Sequence, residues 1–190
     1  MARPSIAELR RRVIGQARGR VLETGFGTGL NLPFYAADRV ELLVAVEPNA
    51  GMSRWTRQRV ATASFPVEQH RLDAAGRLPF EDESFDTVVS TWTMCSIRDL
   101  PAALAEAHRV LKRGGKLLFV EHGLSPEGRV ARWQRRLTPI FRIVGDGCHL
   151  DRDIEAIVRA SPLRIEAMEK FYLEDTPKVG GYTYRGVAGK

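Results

Sequence analysis

The chain has 190 residues and a formal net charge of +6, and 44% of its residues are hydrophobic, as in ordinary globular domains. Two cysteines, Cys95 and Cys148, are too few for a disulfide scaffold or a four-cysteine metal site, and we expect no metal. No apolar run is long enough to cross a membrane, and the basic N-terminus lacks a hydrophobic signal core. We therefore expect one domain over 1–190 in the cytoplasm, with neither a secretion signal nor a membrane anchor.

Apolar strands and helical patterns alternate along the chain, which predicts an α/β fold with a largely parallel sheet. An N-terminal helix over 5–18, within 1–19, precedes an apolar strand at 20–22 and a glycine-rich loop. Further helices are expected at 30–37, at 50–62 and from Asp99 to a glycine terminus at 113–116. Two more are expected at 127–144, with a break or kink at Pro139, and from a cap at Asp151 or Asp153 to about 160. Further strands are expected at 41–47, 67–72, 84–91, 117–120, 163–172 and 181–188, the last two as an antiparallel edge.

The loop that follows the first strand has glycine at every second position, at Gly25, Gly27 and Gly29. Glycine lets the backbone turn sharply and lets a ligand approach it closely. A dinucleotide-binding loop would have glycine or alanine at the position of Leu30. Glu23, at the strand end, would repel a pyrophosphate but suits an ammonium group. The loop therefore predicts a cationic nucleoside that carries an amino acid, which is S-adenosylmethionine.

Acidic residues at two later strand ends predict the rest of the cofactor site. Glu47 lies 22 residues after Gly25, so a right-handed βαβ unit brings it beside the glycine loop, where it can accept hydrogen bonds from ribose hydroxyls. The alternative is a surface acid at a strand end. Asp73, followed by Ala74, suits the exocyclic amine of adenine, although an aspartate there can also cap a turn.

The segment 127–144 predicts a basic amphipathic helix, because apolar residues recur at helical spacing and five arginines occupy other positions. We expect 123–150 to be an insertion on the substrate side, with this helix as a lid over the carboxyl ends of the strands. Two alternatives stay open: an ordinary packing helix with an exposed arginine face, and a lid that also rests on a membrane surface.

Residues 18–122 resemble the class I S-adenosylmethionine-dependent methyltransferases of the type 11 group. The resemblance rests on the glycine loop, Glu47, Asp73, the strand 85–89 and the run 109–116. It implies a Rossmann-like, seven-stranded, mostly parallel sheet with the order 3-2-1-4-5-7-6 and strand 7 antiparallel. It also implies helices on both faces and a cofactor bound across the carboxyl ends of the strands.

The second half resembles a narrower family, the methyltransferase-like thiol S-methyltransferases, at 89–97, 133–134, 145–151 and 181–190. Animal members of that family carry an N-terminal membrane anchor and methylate hydrogen sulfide and small alkyl thiols. This chain has Glu47 where that family has aspartate. The resemblance implies S-methylation of a small or alkyl thiol. Bacterial relatives of the broader group imply a phospholipid, or a quinone or phenol, as alternative acceptors.

The expected site residues fall into three groups. The cofactor-binding group comprises Glu23, Thr24, Gly25, Phe26, Gly27, Gly29, Asn31, Glu47, Pro48, Met52, Asp73, Ala74, Thr91 and Trp92. The catalytic group, as candidate bases or orienting residues, comprises Asp146, His149 and His122. The substrate-binding group comprises Thr93, Cys95, Glu121, Trp133 and Cys148.

Methyl transfer from a sulfonium is an in-line displacement, so orientation and proximity supply most of the catalysis. A thiol is partly ionised near neutral pH, whereas an amine or phenol needs a positioned base. We expect a small-molecule methyltransferase that releases S-adenosylhomocysteine and touches a membrane, if at all, through the helix 127–144. The non-enzyme alternative is a basic module that has the methyltransferase fold but binds nucleic acid or protein. Nucleic acid is disfavoured because no aromatic residues interleave with the N-terminal arginines.

Overall fold

The computed structural model describes residues 4–49 and 54–190, which form seven strands, six α-helices and one 3-10 turn at Leu32–Phe34. The strands are β1 (Gly19–Thr24), β2 (Val40–Val46), β3 (Val67–His70), β4 (Phe85–Thr91), β5 (Leu111–His122), β6 (Arg164–Tyr172) and β7 (Tyr182–Gly189). The helices are α1 (Pro4–Ile14), α2 (Arg54–Ala61), α3 (Leu100–Val110), α4 (Gly128–Val144), α5 (Ile154–Arg159) and α6 (Lys178–Gly181).

All seven strands form one sheet with the order β3-β2-β1-β4-β5-β7-β6. The neighbours from β3 to β5 pair in parallel, whereas β7 is antiparallel to both β5 and β6. The predicted strand order and the antiparallel last strand are confirmed. The chain order reverses at β1, because β2 lies on one side of it and β4 on the other, and in such sheets ligands bind at this point.

Helices cover both faces of the sheet, as expected for buried parallel strands. Successive residues of β1 point to opposite faces, so Leu22 packs in one core and Val21 in the other. The Leu22 core includes Leu104 of α3 and Ile154 of α5, and the Val21 core includes Val13 of α1. Both layers hold the central strands rigidly, and with them the loops at their carboxyl ends.

The helix predicted over 30–37 is wrong, since only the short turn at Leu32–Phe34 forms there. Pro33 has no N–H to donate to a longer helix. The flanking polar side chains also point inward, because Asn31 and Tyr35 both donate hydrogen bonds to the buried carboxylate of Glu23. Tertiary hydrogen bonds at a strand end therefore override the local helical pattern.

Two predicted helix ends are also wrong. The first helix ends at Ile14 rather than at 18. Helix α3 ends at Val110, and the next residue already begins β5, while Gly114 (φ 76°) lies where the pairing of β5 with β4 shifts register. Helix α4 runs through Pro139 without a break, and the alternative of a kink there stays a prediction. The proline is exposed, so water can satisfy the carbonyl group that its missing N–H leaves unpaired.

Helix α4 is attached to the sheet through a buried amide. The side chain of Gln134 accepts from the N–H of Ser125 at 2.9 Å and donates to the carbonyl oxygens of Gly123 and Val179. Buried polar groups that are fully paired fix one orientation, since any rotation would leave them unsatisfied. The helix is thus held beside α6 and the segment that follows β5, and the turn after it reaches the edge of the sheet where β1, β2 and β4 end.

Candidate active site

A cleft of about 380 Å³ opens at the carboxyl ends of β1, β2 and β4. This edge of an α/β sheet is where ligands bind, beside the reversal of strand order. Several predicted cofactor residues line it together: Gly25, Gly27, Glu47, Pro48, Asp73, Ala74 and Trp92. The turn after α4 closes one side through Asp146, whose carboxylate accepts a hydrogen bond from the Asn49 side chain at 2.8 Å.

A smaller cavity of about 170 Å³ adjoins the cleft around the glycine loop. The two share Gly25, Gly27, Trp92 and Thr93 in their walls. The smaller one also brings together predicted cofactor residues from β1, the glycine loop and β4, which are Glu23, Phe26, Asn31 and Thr91. The site therefore has two compartments, as a nucleoside joined to an amino acid requires.

The glycine loop touches the loop after β4 at Gly25. This residue has φ 70°, and a Cβ there would lie 2.1 Å from Oγ1 of Thr93. Gly27 has φ 53°, and its N–H donates to the Glu47 carboxylate at 3.0 Å. Both positions need a left-handed backbone, which glycine adopts without steric cost. Gly25 additionally needs the absence of a side chain.

The two strand-end acids occupy the cleft in different ways. Glu47 accepts from the N–H groups of Gly27 and Asn49, which hold its carboxylate beside the glycine loop. Asp73 accepts from the N–H of Ala75 at 2.9 Å, so it caps a turn and also lines the cleft. The capping function and a contact with a ligand are therefore compatible for Asp73.

Glu23 is almost fully buried, with 1% of its surface exposed. Burial raises the pKa of its carboxyl to about 7, although hydrogen bonds from Tyr35 and Asn31 oppose the shift. The folded protein thus keeps this proton up to about pH 7, whereas an ordinary glutamate loses it near 4.5. Stability contributed by the neutral form is lost as the pH rises between these values. A cationic ligand group beside Glu23 would favour the ionised form.

Two residues in this region were missed by the sequence analysis, Arg10 and Tyr35. The guanidinium of Arg10 lies 4.8 Å from the ring centre of Trp92 and donates to the Asn31 side chain. Its Nε is buried and has no hydrogen-bond partner among the described residues. In sequence, Arg10 is one of six arginines between positions 3 and 20, and nothing in the pattern shows which of them turns inward.

The loop after β4 is held by Glu121, at the end of β5. One oxygen of this buried carboxyl accepts from the N–H groups of Thr93 and Met94. Trp92 has φ 49°, a conformation that a bulky residue adopts only where its surroundings impose it. Arg152 adds donations to the carbonyl oxygens of Met94 and Ile97. In the structure Glu121 is thus committed to positioning the loop.

The other predicted catalytic and substrate residues lie close to this loop, with one exception. The ring of His149 lies 3.1 Å from the carbonyl oxygen of Cys95, and His122 lies 3.2 Å from the sulfur of Cys148. Trp133, by contrast, is 55% exposed on α4 and does not line the cleft.

Two predicted cofactor residues of the described ranges, Thr24 and Gly29, do not line either cavity. Thr24 is buried, and its hydroxyl lies 3.4 Å from the carbonyl oxygen of Val89. Gly29 has φ 72° and completes the loop, with its Cβ position 3.1 Å from the side chain of Leu32. Met52 lies outside the described residues.

A model of the methyltransferase domain family matches residues 22–119, which include the glycine loop and both strand-end acids. The chain belongs to the methyltransferase domain family. The part of the chain at 22–119 is a methyltransferase domain.

Curated relatives of this chain differ in the acceptors that their names give. Thiol S-methyltransferase TMT1B of Rattus norvegicus is 37% identical over 136 residues, or 70% of this chain and 55% of the relative. Phosphatidylethanolamine N-methyltransferase of Cereibacter sphaeroides is 33% identical over 153 residues, which are 80% of this chain and 72% of the relative. The chain thus spans only about half the length of the rat enzyme.

Solved structures show the same fold. An S-adenosylmethionine-dependent methyltransferase from Mesorhizobium loti superposes with a TM-score of 0.74 over 98% of both chains, at 16% identity.

The residues of the site fit S-adenosyl-L-methionine, the predicted cofactor. Gly25 and Gly27 keep the backbone open at the junction of the two compartments, and Glu23 would supply an acid for an ammonium group. Glu47 lies where a ribose acceptor is expected. When bound, S-adenosylmethionine supplies a methyl group on a sulfonium.

Gly25→Ala tests the contact between the two loops. The added methyl group would meet Thr93 at 2.1 Å and strain a positive φ, so we expect the affinity for S-adenosylhomocysteine to fall at least tenfold. Isothermal titration calorimetry measures the affinity, and circular dichroism checks the fold. Gly128→Ala is the matched control, because a Cβ there meets nothing within 4 Å. An unchanged affinity in a folded Gly25→Ala protein would contradict this account.

The raised pKa of Glu23 predicts pH-dependent binding. If the ammonium group binds the ionised carboxylate, affinity for S-adenosylhomocysteine rises about tenfold between pH 6 and 8, with proton release on binding. Calorimetry in two buffers of different ionisation enthalpy measures both. Glu23→Gln should bind more weakly at pH 8 and lose the pH dependence. Glu41→Gln, on the exposed amino end of β2, should keep it. A pH dependence that survives in Glu23→Gln would assign it to another group.

Proposed function

We propose that this methyltransferase transfers the methyl group to the sulfur of a small or alkyl thiol. The similarity to thiol S-methyltransferases over 70% of the chain supports the proposal. The relative that acts on phosphatidylethanolamine shows that similarity alone leaves the acceptor open. The chemistry of the cleft wall supplies the second argument.

The cofactor arrangement follows from the two compartments. We assign the nucleoside to the larger one, with Glu47 on the ribose and Asp73 with Ala74 at the adenine. The amino-acid end then lies in the smaller one, with Glu23 on the ammonium group and Arg10 available to the carboxylate. On this assignment the sulfonium lies at the junction beside Thr93, so the acceptor approaches from the loop after β4.

The observation that carries the proposal is that, of the predicted catalytic residues in the described ranges, Asp146 alone lines the cleft. Glu121 accepts from the loop N–H groups, and neither His149 nor His122 lines the cleft. Among the predicted catalytic residues, Asp146 is the one that lines the cleft, and it already accepts a hydrogen bond. An aspartate is a weak base, which suits a thiol of pKa near 8.5 better than a phenol near 10.

The acceptor is tested with methyl-labelled S-adenosylmethionine and, separately, a small alkyl thiol, phosphatidylethanolamine vesicles and a phenol. We expect labelled thioether at a rate that rises with pH toward the pKa of the thiol, because the thiolate is the nucleophile. Gly25→Ala should lose transfer to every acceptor, whereas Gly128→Ala should keep it. Labelled lipid or aryl ether without thioether would overturn the thiol assignment and leave the methyltransferase assignment intact.

The outer face of α4 favours a second property, contact with an anionic membrane surface. Four large apolar side chains on it are 54% to 84% exposed, namely Trp133, Ile140, Ile143 and Val144. Five exposed arginines of the same helix accompany them: Arg129, Arg132, Arg135, Arg136 and Arg142. No helix in the described ranges is long and apolar enough to cross a membrane. An amphipathic helix of this composition can lie in the interface of anionic lipid.

We therefore propose that α4 docks on anionic phospholipid, and vesicle sedimentation tests it. The protein should sediment with phosphatidylcholine vesicles that contain phosphatidylglycerol, less so at high salt, and not with phosphatidylcholine alone. Arg132→Gln with Arg136→Gln, or Ile143→Ser, should reduce binding several-fold. Arg113→Gln with Arg164→Gln removes the same charge from exposed sites elsewhere and should not. Equal losses in both double variants would indicate that net charge, and not α4, attracts the lipid.

A further inference from the structure

Three side chains that prefer soft metal ions meet at one place in the fold. Cys95 lies in the loop after β4, His122 is the last residue of β5, and Cys148 lies in the turn after α4. Their ligand atoms all lie within 4.8 Å of one another, and Sγ of Cys148 is 3.2 Å from Nε2 of His122. Both cysteines are free thiols. Segments far apart in sequence thus converge on one small volume.

The surroundings of this cluster are rich in buried polar groups. Cys95 is 3% exposed, and Glu121 beside His122 in sequence is fully buried. Within the described part of the chain, Nδ1 of His122 and Oε2 of Glu121 are buried without a hydrogen-bond partner. Arg152, the cation on this side, already donates to two carbonyl oxygens of the loop. A buried carboxyl and two sulfurs are an environment that an additional cation would stabilise.

We propose that Cys95, His122 and Cys148 form a binding site for one zinc ion, with a fourth coordination position open. Thiolate and imidazole are the ligands that zinc prefers, and a site with three protein ligands keeps one position for water or another ligand. A water molecule or a small thiol can reach the fourth coordination position from the side of Cys148, which is only partly buried. The site adds a metal where the sequence predicted none.

The distances allow such a site with a small contraction. A Zn–S bond is about 2.3 Å and a Zn–N bond about 2.0 Å, so two tetrahedral ligands lie roughly 3.5 to 3.8 Å apart. The sulfur of Cys148 and Nε2 of His122 are already that close. The remaining ligand pairs need to approach by about 1.3 Å at most, given the 4.8 Å limit.

Binding requires no oxidant or reductant. Each thiol loses its S–H proton to solvent as its Zn–S bond forms, so uptake of one ion releases up to two protons, and neutral His122 binds through a lone pair. The ion would join the loop after β4 to the turn after α4, and neighbours of both, Thr93 and Asp146, line the cleft. Zinc occupancy can therefore influence the acceptor side, whichever acceptor the enzyme uses.

Zinc binding to the whole chain tests the site independently of methyl transfer. The reduced, chelator-treated protein is titrated with Zn²⁺ against a chromophoric chelator, and with Co²⁺ to observe thiolate-to-metal charge-transfer absorption. We expect one equivalent of Zn²⁺, a charge-transfer band with Co²⁺, and a thermal midpoint that rises until one equivalent is added. Cys148→Ser and His122→Gln should each weaken binding at least tenfold. His108→Gln, the same change on α3, should leave it unaltered.

Affinity for S-adenosylhomocysteine shows that each variant is folded, and the partly buried Cys148 provides a variant that disturbs the core less than Cys95→Ser. Binding that is absent, that exceeds one equivalent without saturation, or that survives Cys148→Ser overturns the proposal. The isolated protein can also contain a Cys95–Cys148 disulfide. If it does, and the reduced protein still binds no zinc, the proposal is overturned as well. Failure of the thiol assay leaves the zinc result standing, because metal uptake is measured without an acceptor.

Discussion

The contact between Gly25 and Thr93 is the constraint on which the site depends. It brings the loop after β1 against the loop after β4, and both cavities have these two residues in their walls. One side of the contact needs a residue without a side chain at a positive φ. The other side needs Thr93 held in place, which the Glu121 carboxyl achieves through backbone N–H groups. A change at either loop would therefore alter both compartments together.

Buried ionisable groups surround this contact, and the fold stabilises each of them differently. Hydrogen bonds from Asn31 and Tyr35 partly compensate the burial of Glu23, whose pKa still rises to about 7. Burial also raises the pKa of Glu121 well above its usual range, although two backbone donors oppose the shift. Such groups cost folding stability, and proteins keep them mainly where a ligand interacts with them. Their concentration at one edge of the sheet agrees with the cofactor site.

Helix α4 packs against the domain on one side and exposes apolar side chains on the other. Gln134, Ala131 and Thr138 are buried on its inner side, whereas Trp133 and Val144 are exposed. The helix therefore has apolar surface beyond what the domain itself covers. The lid predicted over 123–150 stays a prediction, although the turn that contains Asp146 does reach the cleft.

The strand order was implied by the resemblance to class I methyltransferases, whereas the residue pattern of the sequence by itself determined the α/β class, the glycine loop and the positions of Glu47 and Asp73. These depend on local patterns: apolar runs form buried strands, glycine spacing forms the loop, and parallel βαβ units bring strand ends to one edge. The helix predicted at 30–37 is wrong because the side chains of Asn31 and Tyr35 donate hydrogen bonds to the buried carboxyl of Glu23.

Only the tertiary structure decided which side chains from distant segments meet. The inward turn of Arg10, the commitment of Glu121 to the loop, and the cluster of Cys95, His122 and Cys148 have no signal in local spacing. Each depends on the packing of separate elements, which sets the direction of a side chain. Periodicity along the chain carries no information about that direction once two segments are many residues apart.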